Sequence, residues 1–103
     1  MGRLDWVTVA TRRGKIVIPW ASRDTLLSEI RRILSEIRRI DSAKSIVDAF
    51  QGVGATTAVK LSRDDKAHLV ELLDFWSNEV SVANLPAGIW DLRNALVDDL
   101  VRS

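Results

Sequence analysis

Seven cations near the start of the chain have the type and spacing to hold an anion. Arg12, Arg13 and Lys15 cluster around a glycine, and Arg31, Arg32, Arg38 and Arg39 follow as two identical pairs. A guanidinium fork matches phosphate and carboxylate oxygens two at a time. Residues 1–40 hold nine Arg or Lys against four acids, a net +5, whereas residues 41–103 hold six against ten, a net −4. Such an imbalance steers an acidic partner to the front half, or lets two complementary surfaces meet within one chain or between copies. A small nucleic-acid-binding regulator is therefore one candidate function. With about four phosphate contacts, the logarithm of its affinity would fall against that of salt with a slope of about −3.6. Against it, Glu29 and Glu36 interrupt the arginine pairs, and the net charge is only +1. No helix-turn-helix, zinc-finger or RNA-stacking pattern accompanies the patch.

Catalytic chemistry finds less to work with. His68 is the single histidine, without a second ligand or a positioned nucleophile in the sequence. There is no cysteine, so disulfides, thiolate metal sites and cysteine nucleophiles are excluded. Asp64-Asp65 has the position of a helix cap. Asp98-Asp99 falls near a helix C-terminus, an unfavourable end for negative charge, and so calls for a basic neighbour. The glycine-rich GVGATT at 52–57 precedes a predicted strand and lacks the GK[ST] ending of a phosphate loop, so it reads as a turn. Neither a catalytic residue, a metal site, a cofactor nor a small-molecule substrate is expected. Of the four tryptophans, Trp20 and Trp76 fall on predicted core faces, while Trp6 and Trp90 are candidate contact anchors.

The elements that carry these residues follow from periodicity. Two β-branched runs, WVTVAT and KIVIPW, flank Arg13-Gly14 and predict a β-hairpin. A two-residue loop there pairs Thr11 with Ile16, Val9 with Ile18 and Val7 with Trp20, placing Val7, Val9, Ile16, Ile18 and Trp20 on the inner face. Ser22 is the predicted cap of a long helix over residues 23–40, in which LSEIRRI occurs twice in succession, at 27–33 and at 34–40. Leu26, Ile30, Ile33, Ile37 and Ile40 alternate spacings of four and three, the seam of a coiled coil. Asp41-Ser42 predicts a break, followed by a second helix or a continuation carrying Ala43, Ile46, Val47 and Phe50. Residues 57–61 read as a third strand. Ser62 caps a helix over Arg63–Val80 with Leu69, Leu72, Leu73, Trp76 and Val80 inward. Asn84-Leu85-Pro86 opens a last helix with Ile89, Leu92, Leu96 and Leu100 inward.

The expected architecture is thus a single α+β domain over residues 1–103. Its hairpin and third strand form a small sheet against three to four helices, in the order β-β-α-(α)-β-α-α. Nothing resembles a signal peptide or an apolar run of the ~20 residues needed to span a bilayer, so a cytoplasmic protein without membrane contact is expected. The preferred function is a non-enzymatic protein–protein interaction module, a homodimer self-associating through the helix at 23–40. The identity of the two heptads implies a recent tandem duplication, natural or introduced by design. A segment made of interchangeable copies could also switch register.

Overall fold

The computed structural model describes residues 6–36, 38, 40–51 and 58–102, with Ile40 described by its backbone alone. Strands β1 (Trp6–Thr11) and β2 (Gly14–Pro19) form the hairpin. Helices α1 (Trp20–Glu36), α2 (Ile40–Gln51), α3 (Arg63–Val80) and α4 (Ile89–Arg102) follow, with a single 3₁₀ turn at Val82–Asn84 between the last two. The fold is α+β, a two-stranded antiparallel hairpin packed against four helices. Both α1 and α4 meet the strands, while α3 lies against α1, α2 and α4.

The hairpin closes one residue earlier than its sequence implies. Its loop is Arg12-Arg13, and the pairs are Thr11 with Gly14, Val9 with Ile16 and Val7 with Ile18. Gly14 takes φ +105, which an L side chain rarely adopts, so the glycine closes the turn instead of sitting inside it. Pairing shifts by two residues. An even shift keeps every side chain on its face, so Val7, Val9 and Ile18 are buried as expected. Trp20, in contrast, has left the strand and is the first residue of α1, two residues ahead of the expected cap at Ser22. Pro19 ends β2, where its missing N–H leaves no ladder bond unmade.

No third strand forms among the described residues. What remains of it is one parallel bridge between Val59 and Val9. The Val59 N–H donates to the Thr8 carbonyl at 2.8 Å, and the Val59 carbonyl accepts from the Ala10 N–H at 2.9 Å. Ser62, three residues on, already accepts from the Asp65 amide and caps α3, and residue 57, the first of the expected strand, lies outside the described residues. That bridge satisfies one carbonyl and one N–H on the outer edge of β1.

The opposite edge, that of β2, is covered by the start of the last helix. Ile89 donates to the Pro86 carbonyl at 3.2 Å, closing a turn in which Gly88 has φ +83. A positive φ at that position is the type II requirement, and it cannot lie inside a helix. The helix therefore begins at Ile89, later than the expected Asn84-Leu85-Pro86 start. A Cβ on Gly88 would lie 2.9 Å from the Val17 carbonyl oxygen, so the turn presses directly on the β2 backbone.

One core joins all these elements. Phe50, Ile18, Leu26, Ile30, Ile46 and Leu72 are among its largest enclosed members. Val80, expected inward, is exposed, because α3 ends there and Ser81 turns the chain at φ +71.

Candidate functional site

Two copies of one heptad, identical in sequence, adopt different structures. Residues 27–33 are helical throughout. Of residues 34–40, the first three finish α1 and the last begins α2, with Arg38 between them at φ +60. The Arg38 N–H donates to the Ser35 carbonyl at 3.2 Å, the bond of a left-handed helix end. That position normally belongs to glycine or asparagine, and another L residue placed there costs ~1–2 kcal/mol. The helix break thus lies inside the second copy, ahead of the expected Asp41-Ser42, at a place with no helix-breaking residue. Packing of α2 back onto α1 and α3 overrides local preference. Arg38→Gly is expected to stabilise the protein by about 0.5–1 kcal/mol, read as a higher urea midpoint at micromolar concentration.

The predicted seam sits at this break but faces inward. Leu26, Ile30 and Ile33 have 0% exposure, enclosed by the chain's own α2, α3 and strands. Ile37 and the Ile40 side chain lie outside the described residues. No partner helix can reach the first three without opening the domain.

The seven candidate anion-binding cations do not form one patch. Arg12 and Arg13 are drawn to α4. The Arg12 amide donates to Asp99 Oδ1 at 2.9 Å, its guanidinium donates to the Arg102 carbonyl at 3.1 Å, and Arg13 Nε lies 3.6 Å from Asp98. Arg32 is held by Glu29, Glu36 and, across from α3, Glu79. Asp99 also meets Lys66, near the start of α3, at 3.1 Å, whereas Glu79, the α3 partner of Arg32, lies near that helix's end. Lys66 and Glu79 are thirteen positions apart, about 20 Å along the axis. Lys15, Arg31 and Arg38 are exposed, and Arg39 lies outside the described residues.

Among the described residues, Asp99 is the most enclosed charge, 3% exposed. Burial pushes its carboxyl upward, but the Arg12 amide and the Lys66 ammonium outweigh that and hold it below the ordinary carboxylate value. The basic neighbour expected for Asp98-Asp99 is thus present for both. At the other pair, Asp65 accepts from the Ser45 hydroxyl at 2.9 Å and does not reach back to complete a capping box. One turn along α3, His68 Nδ1 is 3.0 Å from Ser42 Oγ, a second polar tie to α2. Sequence gave no hint of these α2–α3 ties, since each partner is an ordinary surface residue type.

Two shallow cavities flank these features. An open groove of about 340 Å³ runs between α1 and α2, with Ala43 and Val47 as floor and Arg31, Lys44 and Asp48 at its rim. A polar hollow of about 300 Å³ lies between Arg13 and the Arg93, Asp98 and Val101 side of α4. His68 lines neither. No group of three or more potential metal ligands occurs among the described residues, and no helix there is long and apolar enough to cross a membrane.

Of the two tryptophans proposed as anchors, Trp6 is 54% exposed on the outer hairpin face, level with Pro19 and beside Val17. Trp90 is half-buried, with the Arg93 guanidinium 4.9 Å from its ring centre. The 52–57 glycine-rich turn lies outside the described residues. Compared with known protein families, with curated proteins and with solved structures, the chain matches none.

Proposed function

We propose that this chain is a non-enzymatic interaction module that associates with a second copy of itself, the association being decided in the segment 23–40. The observation that carries this reading is the pair of identical heptads, one wholly helical and the other broken at Arg38. The broken copy has the composition of a helix and pays a backbone penalty not to be one. Association alters that balance, because a second copy supplies packing that one protomer cannot. A seam laid on the intact surface of another protomer is not the mode, since Leu26, Ile30 and Ile33 have no accessible area.

Phosphate binding draws less support. Arg12, Arg13 and Arg32 are engaged with carboxylates or a carbonyl, the hairpin-tip arginines on α4 and Arg32 on α1 and α3. Catalysis draws less still: His68 Nδ1 is tied to Ser42 Oγ, and the residue lines neither the groove nor the hollow.

Size-exclusion chromatography with light scattering is the test. A mass rising from about one chain to two between micromolar and hundreds of micromolar supports the reading, and a strict monomer throughout ends it. A Trp6→Ser variant checks the exposed hairpin face. If the hairpin face were the contact, this change would abolish the dimer; association decided at residues 23–40 leaves it intact.

A further inference from the structure

We infer that the dimer forms by exchange: α1 and α2 straighten into one continuous helix through the second heptad, and residues 40–102 of each chain pack against residues 6–36 of the other. The inference rests on the self-association reading above and specifies its geometry.

Three observations carry it. The connection between α1 and α2 spans only residues 37–39, and its described member, Arg38, occupies a backbone conformation that disfavours arginine. Short connections under strain are where exchange between protomers is easiest, because straightening relieves the strain while every other contact is remade. The connecting residues, Ile37-Arg38-Arg39, repeat Ile30-Arg31-Arg32, and the earlier three are helical in the same protein. Straightening therefore asks this sequence to do what its copy already does.

Geometry then selects the partner. A helix from Trp20 to Gln51 would be about 48 Å long at 1.5 Å per residue, against a greatest extent of 38 Å for the protomer. It cannot be accommodated within the present outline. At about 100° per residue, the α2 stripe of Ala43, Ile46, Val47 and Phe50 also lies about 150° round from the α1 stripe of Leu26, Leu27, Ile30, Ile33 and Leu34. One straight helix cannot present both stripes to the same core. A second copy resolves this, since it offers the surfaces that α1 and the hairpin already fit. The Val9–Val59 bridge, the Arg12–Asp99 bond and the Arg32–Glu79 pair all join the two sides of Arg38, so each would re-form between chains.

The absence of cysteine makes a clean test. Bridged strands lie ~4.8 Å apart, within disulfide range, so Val9→Cys with Val59→Cys places the only two thiols across the Arg38 boundary. In the exchanged dimer, purified and oxidised, the disulfides join two chains, and a non-reducing denaturing gel shows a covalent dimer. Arg38→Gly favours the turn and weakens the long helix, so it should raise the dimer dissociation constant at least about tenfold. If the cysteine variant fails to fold, hydrogen exchange on the unaltered protein reads the same event. The amides of residues 41 and 42, in the first turn of α2, lack an intrahelical acceptor in the monomer and become protected in the dimer. A chain that stays monomeric overturns self-association and exchange together. A dimer with single-chain disulfides, or with those amides exchanging as in the monomer, overturns exchange alone.

Discussion

Gly88→Ala is expected to destabilise the protein by about 3 kcal/mol, while Gly14→Ala costs about half of that. Both glycines have φ outside the range of an ordinary L residue, at +83 and +105. Forcing a side chain into such a conformation costs ~1–3 kcal/mol on backbone grounds. The surroundings then separate them. A Cβ on Gly14 meets nothing within 4 Å, whereas one on Gly88 falls 2.9 Å from the Val17 carbonyl oxygen and 3.6 Å from Ile18 Cα. Backbone atoms of a paired strand cannot step aside as a flexible side chain could. The turn must lift off β2, carrying Ile89 and Leu92 away from a core in which neither has any exposed surface. Chemical denaturation of the two variants side by side is the measurement. Equal losses would mean that the turn yields freely and does not press on the strand.

That contact explains why the last helix starts later than its proline implies. Proline near a helix start is a sound signal, and Asn84-Leu85-Pro86 has it. The deciding constraint is the meeting of Gly88 with a strand seventy residues earlier, which no local pattern encodes. The hairpin shows the opposite case. Its pairing moved by two residues, yet the buried face survived, because alternation of polar and apolar side chains is a property of parity and not of loop length. The third strand was legible only as a single residue. Val59 has the right neighbours, but Ser62 had already committed the chain to a helix.

The site was legible in its residue types and illegible in its partners. A stripe with spacings of three and four states that a helix buries that side. It reads alike whether the neighbour is another helix of the same chain or of a second copy. Leu26, Ile30 and Ile33 turned out to face the former. The arginines pose the same problem at longer range. Arg32 pairs with a residue 47 positions away, and the Arg12 amide with one 87 positions away. A basic run next to unseen acids resembles an anion site until the fold brings the acids in. Conversely, the repeat itself was plain in the sequence, and only the fold shows that its two copies part company at Arg38.

Asp99→Ala is expected to cost about 2–4 kcal/mol, and the loss should be visible in how stability responds to acid. The carboxylate joins three elements: it accepts the Arg12 amide from the hairpin turn, lies 3.1 Å from Lys66 on α3, and belongs to α4. Removing one partner of an enclosed charged pair leaves the other without compensation, which costs more than the pair contributes. Lys66 is partly exposed and recovers some hydration, which keeps the loss below the upper end of such cases. Asp99→Asn keeps an acceptor for the Arg12 amide and loses only the charge, so about half the effect should remain. The pH dependence follows from the lowered carboxyl. The folded state holds the ionised form more firmly than the unfolded chain does, so its contribution is full above the unfolded value, near pH 4, and fades as acid protonates the folded carboxyl. Unfolding midpoints measured from pH 6 down to pH 2.5 should therefore converge between the unaltered protein and Asp99→Asn as pH falls. Other carboxylates titrate in the same window, and the difference between the two proteins removes their share. A gap that stays constant across that range would mean that the ion pair is idle and that Asp99 serves only to accept the hairpin amide.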